Sequence, residues 1–420
     1  MDTLADEIVA GRCVAFVGAG FSAAVCRVWS DLLAAVAAER SSEVRDHVEA
    51  LLAERNARAY EMAAQILEDA FKDDPTADLL RVLRQSTRRR EVSAAADARM
   101  KQRRTLLTEI PFAAILTTNF DDELKGEVLD SETYAQLLRE SGPRWMEERF
   151  WNRSTRVLKL HGDLQRGTGV TLSRRGYRTR LYSEPGYLHV LRSVLLTKTV
   201  LFLGFSFTDE YLNELRSEVL AYLAPEGKTP RYAYALLNDV PHSMRSHFRD
   251  HEAMHVFDYP TPSDPDHLGF DDFLAKLHAK TSPGALMGRR LAQRRMLWVD
   301  PSTDRNAQGR DYLAEATRGL CTIDLAASPE EAFAKMEAET YDLVITRWGF
   351  HPRRPADGES LLTHIRQHDI RVPVVVFASG HHAEENRDAA MRLGALEYTS
   401  HWDALFAVID RRFSTPDAAR

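Results

Sequence analysis

The sequence predicts an α/β fold in which two parallel sheets follow one another along the chain. Apolar runs of strand length recur between helical patterns, they are continuous rather than alternating, and several end in Gly, Ser or Asn. Continuous apolar runs are typical of parallel strands that helices cover on both faces. Ligands of such sheets bind beyond the carboxyl ends of the strands, where small and polar residues are expected.

Six apolar runs predict the strands of the first sheet, and helical insertions separate them. The runs are residues 13–20, 112–119, 156–162, 199–206, 231–238 and 254–259. A helical region at 30–108 is longer than a single crossover needs, so we expect an inserted helical layer there. A second insertion at 123–153 separates the next pair of strands.

Five shorter strand–helix units predict a second, smaller doubly wound domain. Its strands are expected at 294–300, 321–326, 342–348, 372–379 and 396–400. A helical stretch is expected after the first strand, and helices are expected at 328–339, 358–368, 383–394 and 403–413. Ser328 and Glu331 have the spacing of a capping box at the start of the first of these helices. Small, breaker and basic residues at 281–290 predict a linker, so we expect domains at 1–280 and 294–415 joined by residues 281–293.

Composition excludes several classes of protein. The chain of 420 residues has a net charge of −7, which argues against a dedicated nucleic-acid binder. Its three cysteines form no paired motif, so neither a four-cysteine zinc module nor a disulfide scaffold is expected. We find no signal peptide and no apolar run long enough to cross a membrane, and we expect a cytoplasmic protein.

Polar motifs follow the predicted strands of the first sheet. A glycine turn at 18–22 follows the first strand, where the backbone can approach a phosphate. An amide and a carboxylate at 119 and 121 leave the second strand, and His161 leaves the third. Each motif alone has a structural explanation, such as helix capping. Because the carboxyl ends of parallel strands share one edge, together they indicate one site.

This ordered set resembles the SIR2-like family, and most closely its bacterial branch that hydrolyses NAD, often in anti-phage defence. The matching motifs are GAGFS (18–22), TTNFD (117–121), KLHGD (159–163), LFLGFSFTDEYL (201–212) and ALLND (235–239). The resemblance spans residues 10–260 and implies a Rossmann-like sheet. The chain departs from protein-deacylating sirtuins, because it lacks their zinc cysteines and has Thr118 where they usually have Gln. An acyl-lysine substrate is therefore not expected.

The resemblance implies a set of site residues with NAD as substrate and no metal. Asn119 would position the nicotinamide ribose or the attacking water, Asp121 would fix a hydroxyl or the adjacent loop, and His161 would act as general base. Asp209 is a further candidate that could instead cap a helix. The residues expected to bind NAD are Gly18, Ala19, Gly20, Phe21, Ser22, Thr118, Gly204, Ser206 and Asn238.

The second domain resembles a response-regulator receiver, which implies a five-stranded flavodoxin-like fold. The family's phosphoacceptor position is occupied by Arg347, one acidic residue remains at Asp300, and His401 stands where Lys is expected. Ser379 keeps the expected hydroxyl. A cation cannot form an acyl phosphate or help bind Mg²⁺, so we interpret the domain as a pseudo-receiver in which Arg347 neutralises Asp300.

Three functions remain open at this point. The first is an NAD+ glycohydrolase regulated through the second domain, for which we expect a homo-oligomer and a protein or small-molecule trigger. The second is an ADP-ribosyl transferase or cyclase that uses the same pocket, and the third is a non-enzymatic nucleotide-sensing module. The sequence HEAMH at 251–255 has the spacing of a zinc motif, but its second His opens an apolar run, so we do not expect zinc there.

Overall fold

The computed structural model describes residues 1–128, 155–183, 185–207, 210–223, 233–261, 267–301, 321–349, 357–378 and 383–413, with isolated positions between 310 and 319. The described residues up to His278 form one compact unit, and those from Ala279 onward form another. None of the helices in these ranges is long and apolar enough to cross a membrane.

The first unit is built on a parallel sheet of seven strands. They are β1 (Cys13–Val17), β2 (Ile115–Thr117), β3 (Glu127–Val128), β4 (Val157–Lys159), β5 (Thr199–Leu203), β6 (Ala233–Asn238) and β7 (Met254–Tyr259). Their order is β3-β4-β2-β1-β5-β6-β7. Without the edge strand β3 this is the Rossmann order, in which the chain changes direction at β1. The predicted α/β fold is confirmed, whereas β3 was not predicted.

The continuous apolar runs arise because both faces of this sheet are buried. On one face, Val14 and Phe16 of β1 pack in a core with Phe202 of β5. On the other face, Ala15 and Val17 pack in a separate core. All five residues of β1 are buried. The strand therefore lacks the alternation of apolar and polar residues that is typical of a strand with one exposed face.

Helices cover both faces, and five of them form the predicted layer between β1 and β2. The helices of this unit are α1 (Asp2–Val9), α2 (Trp29–Ala37), α3 (Ser42–Ala53), α4 (Ala57–Lys72), α5 (Leu79–Ser86), α6 (Ala94–Glu109), α7 (Arg174–Ser183), α8 (Pro185–Thr197), α9 (Glu210–Leu223), α10 (His242–His251) and α11 (Leu268–Thr281). Side-chain caps begin α3 to α6, each accepting a backbone N–H of the first turn: Ser41, Asn56, Asp78 and Ser93.

The helical layer packs over the carboxyl edge of the sheet. Its core, which includes Leu33 of α2 and Leu67 of α4, also contains Phe120 from the loop after β2. Leu164 and Leu172, which follow β4, belong to the same core. Burial of these side chains therefore fixes the layer above the loops that carry the sequence motifs. Most of the second predicted insertion, residues 129–153, lies outside the described residues.

The second unit has a parallel sheet of five strands. They are β8 (Arg295–Val299), β9 (Thr322–Ala326), β10 (Leu343–Thr346), β11 (Val374–Phe377) and β12 (Glu397–Thr399). The order is β12-β11-β10-β8-β9. Counted from β8 this is 2-1-3-4-5, the flavodoxin-like order. The helices are α12 (Pro283–Leu291), α13 (Pro329–Ala338), α14 (Asp357–Gln367), α15 (Ala383–Arg392) and α16 (Trp402–Phe413).

Two local predictions fall on helix starts of this unit. The predicted cap is confirmed, because Ser328 Oγ accepts the N–H of Glu331 at 3.2 Å, while the Glu331 carboxylate accepts the N–H of Ala327, one residue before the N-cap, at 2.8 Å. Within the predicted linker, residues 283–291 form the helix α12. Ser282 caps that helix and Pro283 opens it. Proline at the first helical position starts a helix rather than breaking one.

Candidate functional site

A pocket of about 130 Å³ opens at the carboxyl edge of the first sheet. It lies where β1, β2, β4 and β5 end, next to the change of direction at β1, which is where open α/β sheets bind ligands. Its walls come from the strand-end loops, α2, α4 and α7. The lining residues are Gly18, Ala19, Cys26, Arg27, Trp29, Leu32, Ala57, Tyr60, Glu61, Thr87, Thr118, Asn119, Phe120, Asp121, His161, Leu172, Tyr177, Phe205 and Ser206.

Asn119 is held in the pocket wall by the ends of two strands. The hydroxyl of Thr117 donates to Val17 O at 3.0 Å and accepts the backbone N–H of Asn119 at 3.1 Å. The Asn119 amide nitrogen donates to Gly18 O at 3.1 Å. The amide oxygen of Asn119 is buried and has no partner among the described residues. An unsatisfied buried acceptor costs about 1–3 kcal/mol, so this oxygen is suited to accept a hydrogen bond from a ligand.

Asp121 holds the loop after β1. Its Oδ2 accepts the hydroxyl of Ser22 at 2.7 Å, and its Oδ1 accepts the N–H of Glu123 at 3.0 Å. Burial raises the pKa of Asp121, and these two hydrogen bonds oppose the rise. Of the two alternatives predicted for Asp121, the contacts favour the adjacent loop over a substrate hydroxyl.

The loops after β1 and β5 approach each other so closely that only glycine fits. A Cβ on Gly18 would lie 2.6 Å from Gly204 O, and a Cβ on Gly20 would lie 2.9 Å from Gly204 Cα. Gly204 itself has a φ of +59°. These three glycines are therefore explained by packing between the loops.

This contact predicts that Gly204→Ala is strongly destabilising. The added Cβ would lie 2.3 Å from the backbone nitrogen of Phe21, so we expect a loss of roughly 2 kcal/mol or more. Gly167→Ala is the matched control, because Gly167 has a φ of +66° but its nearest neighbour would be 3.5 Å away. That control should show only backbone strain, about 1 kcal/mol. Urea unfolding measures both changes, and equal losses would contradict the packing explanation.

Most backbone N–H groups of this glycine turn are used inside the protein. Those of Gly20, Phe21 and Ser22 donate to Gly204 O, Gly18 O and Ala19 O. The N–H of Ala19 has no acceptor within the described part of the chain. The turn continues into a 3-10 helix of three residues rather than a long helix, so it offers one N–H instead of a ring of donors.

His161 leaves β4 and forms part of the same wall. Its Nε2 contacts the hydroxyl of Tyr177, and its ring lies 5.8 Å from that of Phe120. Arg180 fixes the loop around it by donating to Leu160 O and Gly169 O. Burial, together with the positive charge of Arg180, lowers the pKa of His161 to about 3. The imidazole is therefore neutral at physiological pH.

The lowered pKa of His161 predicts that this residue makes the free energy of unfolding fall as the pH is lowered. The unfolded chain protonates this histidine near pH 6.5, whereas the folded chain keeps it neutral down to about pH 3. Between these values the unfolded state binds more protons, so the free energy of unfolding falls as the pH is lowered. We expect the wild type to lose more stability than His161→Gln between pH 6.5 and 4, measured by urea unfolding. Parallel pH curves would contradict this expectation.

Seven of the predicted site residues line the pocket together. They are Gly18, Ala19, Thr118, Asn119, Asp121, His161 and Ser206. Three of the remaining five, Gly20, Ser22 and Gly204, lie behind this wall and shape it through the contacts described above. Asp209 lies outside the described residues.

Phe21 and Asn238 are placed away from the pocket. The Phe21 side chain is fully buried in the core, where its ring lies 6.2 Å from that of Phe270. An aromatic residue after a tight turn is drawn into the core by its apolar area. Asn238 ends β6 and its amide contacts Asp239 and Thr261 at 3.4 and 3.5 Å. Neither residue is among those that line the pocket, so the NAD-binding role expected of both stays a prediction.

The lining residues that the helices supply lie outside the motifs from which the site was predicted. Trp29 of α2, Tyr60 and Glu61 of α4, and Tyr177 of α7 face the pocket. Tyr177 lies in a basic run at 174–180, between the motifs at 159–163 and 201–212, and this position is the signal that the sequence offers. Cys26 also lines the pocket, and burial raises the pKa of its thiol to about 12, so it is not a reactive thiolate.

The zinc-like spacing at 251–255 is divided between two elements. His251 ends α10, whereas His255 lies in β7. Ala253 between them has a φ of +46°, which turns the chain from helix to strand. The two imidazoles therefore do not share a helix face, as the zinc motif requires.

The carboxyl edge of the second sheet carries an ion pair in place of an acidic cluster. Arg347 Nη1 lies 3.5 Å from Asp300 Oδ1, and the Asp300 side chain is almost completely buried. The predicted neutralisation of Asp300 by Arg347 is confirmed. The backbone N–H of His401 donates to Thr399 Oγ1 at 3.0 Å. Ser379 lies outside the described residues.

Part of the first unit is similar to a known protein family. Residues 113–256 match the family model of the SIR2-like domain. The chain contains a SIR2-like domain. The match covers the strand ends that carry Asn119 and His161. The glycine turn of β1 lies before the matched residues and joins the SIR2-like domain through the pairing of β1 with β2 and β5.

The relatives of the SIR2-like domain include two proteins named NAD(+) hydrolase ThsA. The protein from Enterococcus faecium is 30% identical over 137 residues, which cover 30% of this chain and 26% of the relative. The protein from Cytobacillus dafuensis is 24% identical over 166 residues, which cover 39% of this chain and 32% of the relative. The chain thus matches about a quarter to a third of the length of these relatives.

A solved structure is similar to part of the chain. The receiver domain of the Francisella response regulator 1452 is 20% identical, with 29% of this chain and 97% of that chain covered and a TM-score of 0.24.

Proposed function

We propose that the chain is an NAD+ glycohydrolase that cleaves NAD+ to nicotinamide and ADP-ribose. One observation carries the proposal. Asn119 and His161 follow two paired strands, β2 and β4, and line one pocket with the glycine turn of β1. The relatives named NAD(+) hydrolase support the same substrate.

The two side chains suit a reaction in which the ribose becomes cationic. Loss of nicotinamide leaves positive charge on the ribose, and a site accelerates this step by placing acceptor groups near that charge. The unpaired amide oxygen of Asn119 would accept a hydrogen bond from the ribose or from the attacking water. His161 is neutral, so it carries both a donor and an acceptor nitrogen.

The other end of the substrate would lie at the glycine turn. The N–H of Ala19 is the donor that the turn leaves available, and Arg27 supplies a positive charge to the pocket lining. Arg27 is positioned by a hydrogen bond of 2.9 Å from its guanidinium to Ser86 O. We place the pyrophosphate against these two groups, since guanidinium and backbone N–H groups both bind phosphate oxygens.

Product identification tests the proposed function. The full-length protein is incubated with NAD+, and the products are separated and identified by mass. Equal amounts of nicotinamide and ADP-ribose support hydrolysis. A cyclic product or transfer of labelled ADP-ribose to an acceptor would support the cyclase or transferase. Intact NAD+ recovered in a tight complex would support a nucleotide-sensing module.

We also propose that the activity depletes NAD+ in anti-phage defence in the cytoplasm, and that the second unit regulates it. Uncontrolled NAD+ loss would harm the host, so a restrained state with a trigger, and a homo-oligomer, would suit this role. Comparing NAD+ turnover by the full chain and by residues 1–280 tests the regulation. A higher rate in the shorter chain supports restraint by the second unit, and equal rates argue against it.

A further inference from the structure

The hydroxyl of Tyr177 lies against Nε2 of His161, the nitrogen through which this histidine would act as a general base. It contacts His161 Nε2, and the two rings meet edge to face at 83° with centroids 5.0 Å apart. Both side chains line the pocket. In the tautomer whose Nε2 carries no proton, the phenol hydroxyl of Tyr177 donates to that nitrogen. In that arrangement, a proton that another molecule gives to Nε2 passes through the hydroxyl of Tyr177, unless Tyr177 is displaced.

Displacement is opposed by the way α7 is anchored. Before Tyr177 along the chain, Ser173 binds the carboxylate of Glu68 of α4 through its N–H, at 3.2 Å, and its hydroxyl. The guanidinium of Arg175 binds both carboxylate oxygens of Asp69 at 2.8 and 3.1 Å. After Tyr177, the buried Arg180 donates to two backbone carbonyls of the loop that follows β4.

These anchors hold both ends of the helix segment that carries Tyr177. One end is tied to the helical layer, and the other is tied to the loop that carries His161. A bidentate arginine–carboxylate pair and a buried guanidinium are both geometrically specific contacts. The phenol is therefore presented to the imidazole by a fixed backbone rather than by a mobile loop.

We propose that Tyr177 is a catalytic residue that relays a proton from the attacking water to His161, an inference that rests on the proposed NAD+ hydrolysis. The water oxygen forms the new bond to the ribose C1′ and gives its proton to Tyr177 Oη. Tyr177 passes its own hydroxyl proton to His161 Nε2. The C1′–N bond breaks, and its electron pair leaves with nicotinamide, which departs neutral. The proton on His161 returns to solvent with product release.

The relay is tested by Tyr177→Phe, which keeps the ring and removes the hydroxyl. We expect kcat for nicotinamide release to fall by about 10²-fold with KM changed by less than about threefold, because a positioned proton-transfer group contributes this much to the chemical step. Tyr259→Phe is the matched control. It removes another tyrosine–histidine hydrogen bond, 3.0 Å from Tyr259 Oη to His267 Nδ1, outside the pocket lining.

A second measurement detects the contact between Tyr177 and His161 independently of NAD+ turnover. Diethyl pyrocarbonate acylates free imidazole nitrogens, and peptide mass mapping reports the rate at His161. We expect this rate to rise about tenfold in Tyr177→Phe, the equivalent of one lost hydrogen bond, and to stay unchanged in Tyr259→Phe. An unchanged rate in Tyr177→Phe would show that the phenol does not cover Nε2 and would overturn the relay.

The outcomes separate the relay from the proposed function. A wild type that releases no nicotinamide overturns the proposed hydrolysis and the relay with it. An active wild type beside a fully active Tyr177→Phe overturns the relay alone. A Tyr177→Phe variant with raised activity also overturns it, since the phenol would then block the base instead of serving it.

Discussion

Asn119→Ala is expected to lower the rate of nicotinamide release by about 10²- to 10³-fold, the loss typical of one preorganised polar group in an active site. The variant removes the buried amide oxygen that has no partner among the described residues. It should still fold, because Gly18 O also accepts the N–H of Phe21 at 3.1 Å, and Ser22 keeps its bond to Asp121. Initial rates at saturating NAD+ measure the loss.

Asn213→Ala is the matched control for this variant. The amide of Asn213 also donates to a backbone carbonyl, Phe207 O, at 2.7 Å, but Asn213 does not line the pocket. We expect near wild-type turnover from the control. Full turnover by folded Asn119→Ala would remove Asn119 from the mechanism.

His161→Ala is expected to reduce NAD+ cleavage by about 10²- to 10⁴-fold, the contribution of a positioned proton-transfer group. The loop around it should persist, because the backbone carbonyl of His161 still accepts the N–H of Thr171 at 3.1 Å and Arg180 keeps its bonds to two other carbonyls. The substrate should still bind, since the glycine turn and Arg27 are untouched. Rate measurements combined with calorimetric NAD+ binding separate these effects.

The control for this loss is another histidine of the same unit. His278 Nε2 lies 2.9 Å from Glu109 Oε2, and His278 is not among the pocket lining residues. His278→Ala should therefore leave turnover near the wild-type value. If His161→Ala cleaves NAD+ as fast as His278→Ala does, His161 is not the base.

The strands could be predicted from the sequence because the sheets are buried on both faces. Val14 and Val17 of β1 enter different cores, so the run at 13–17 has no polar break. The edge strand β3 could not be predicted, because its two residues, Glu127 and Val128, are exposed and half-buried and form no apolar run. The position of a strand pair this short is set by tertiary contacts rather than by local pattern.

The site could be predicted only where it lies on strand ends. Asn119 and His161 follow apolar runs, and the topology of parallel sheets brings such positions to one edge. Trp29 and Tyr60 lie on amphipathic helices of the inserted layer, and helical periodicity shows that they share a face with apolar residues without showing what that face covers. Tyr177 stands in a basic run whose charges dominate the pattern, so its contact with His161 becomes visible only in the fold.

Packing also explains the predicted residues that do not reach the pocket. Phe21 belongs to a motif that looks like one unit in the sequence, but its ring points into the core while the turn around it meets Gly204. Motif residues therefore divide into those that face a ligand and those that let two loops meet. Sequence alone does not separate these roles.

The central claim is that NAD+ is cleaved in the pocket formed by the ends of β1, β2 and β4. Its most direct test is nicotinamide release measured beside NAD+ binding for the full-length wild type, Asn119→Ala and His161→Ala. We expect the wild type to release nicotinamide and ADP-ribose in equal amounts, and both variants to bind NAD+ without cleaving it. Wild-type turnover in both folded variants, or a wild type that returns its bound NAD+ intact, would contradict the claim.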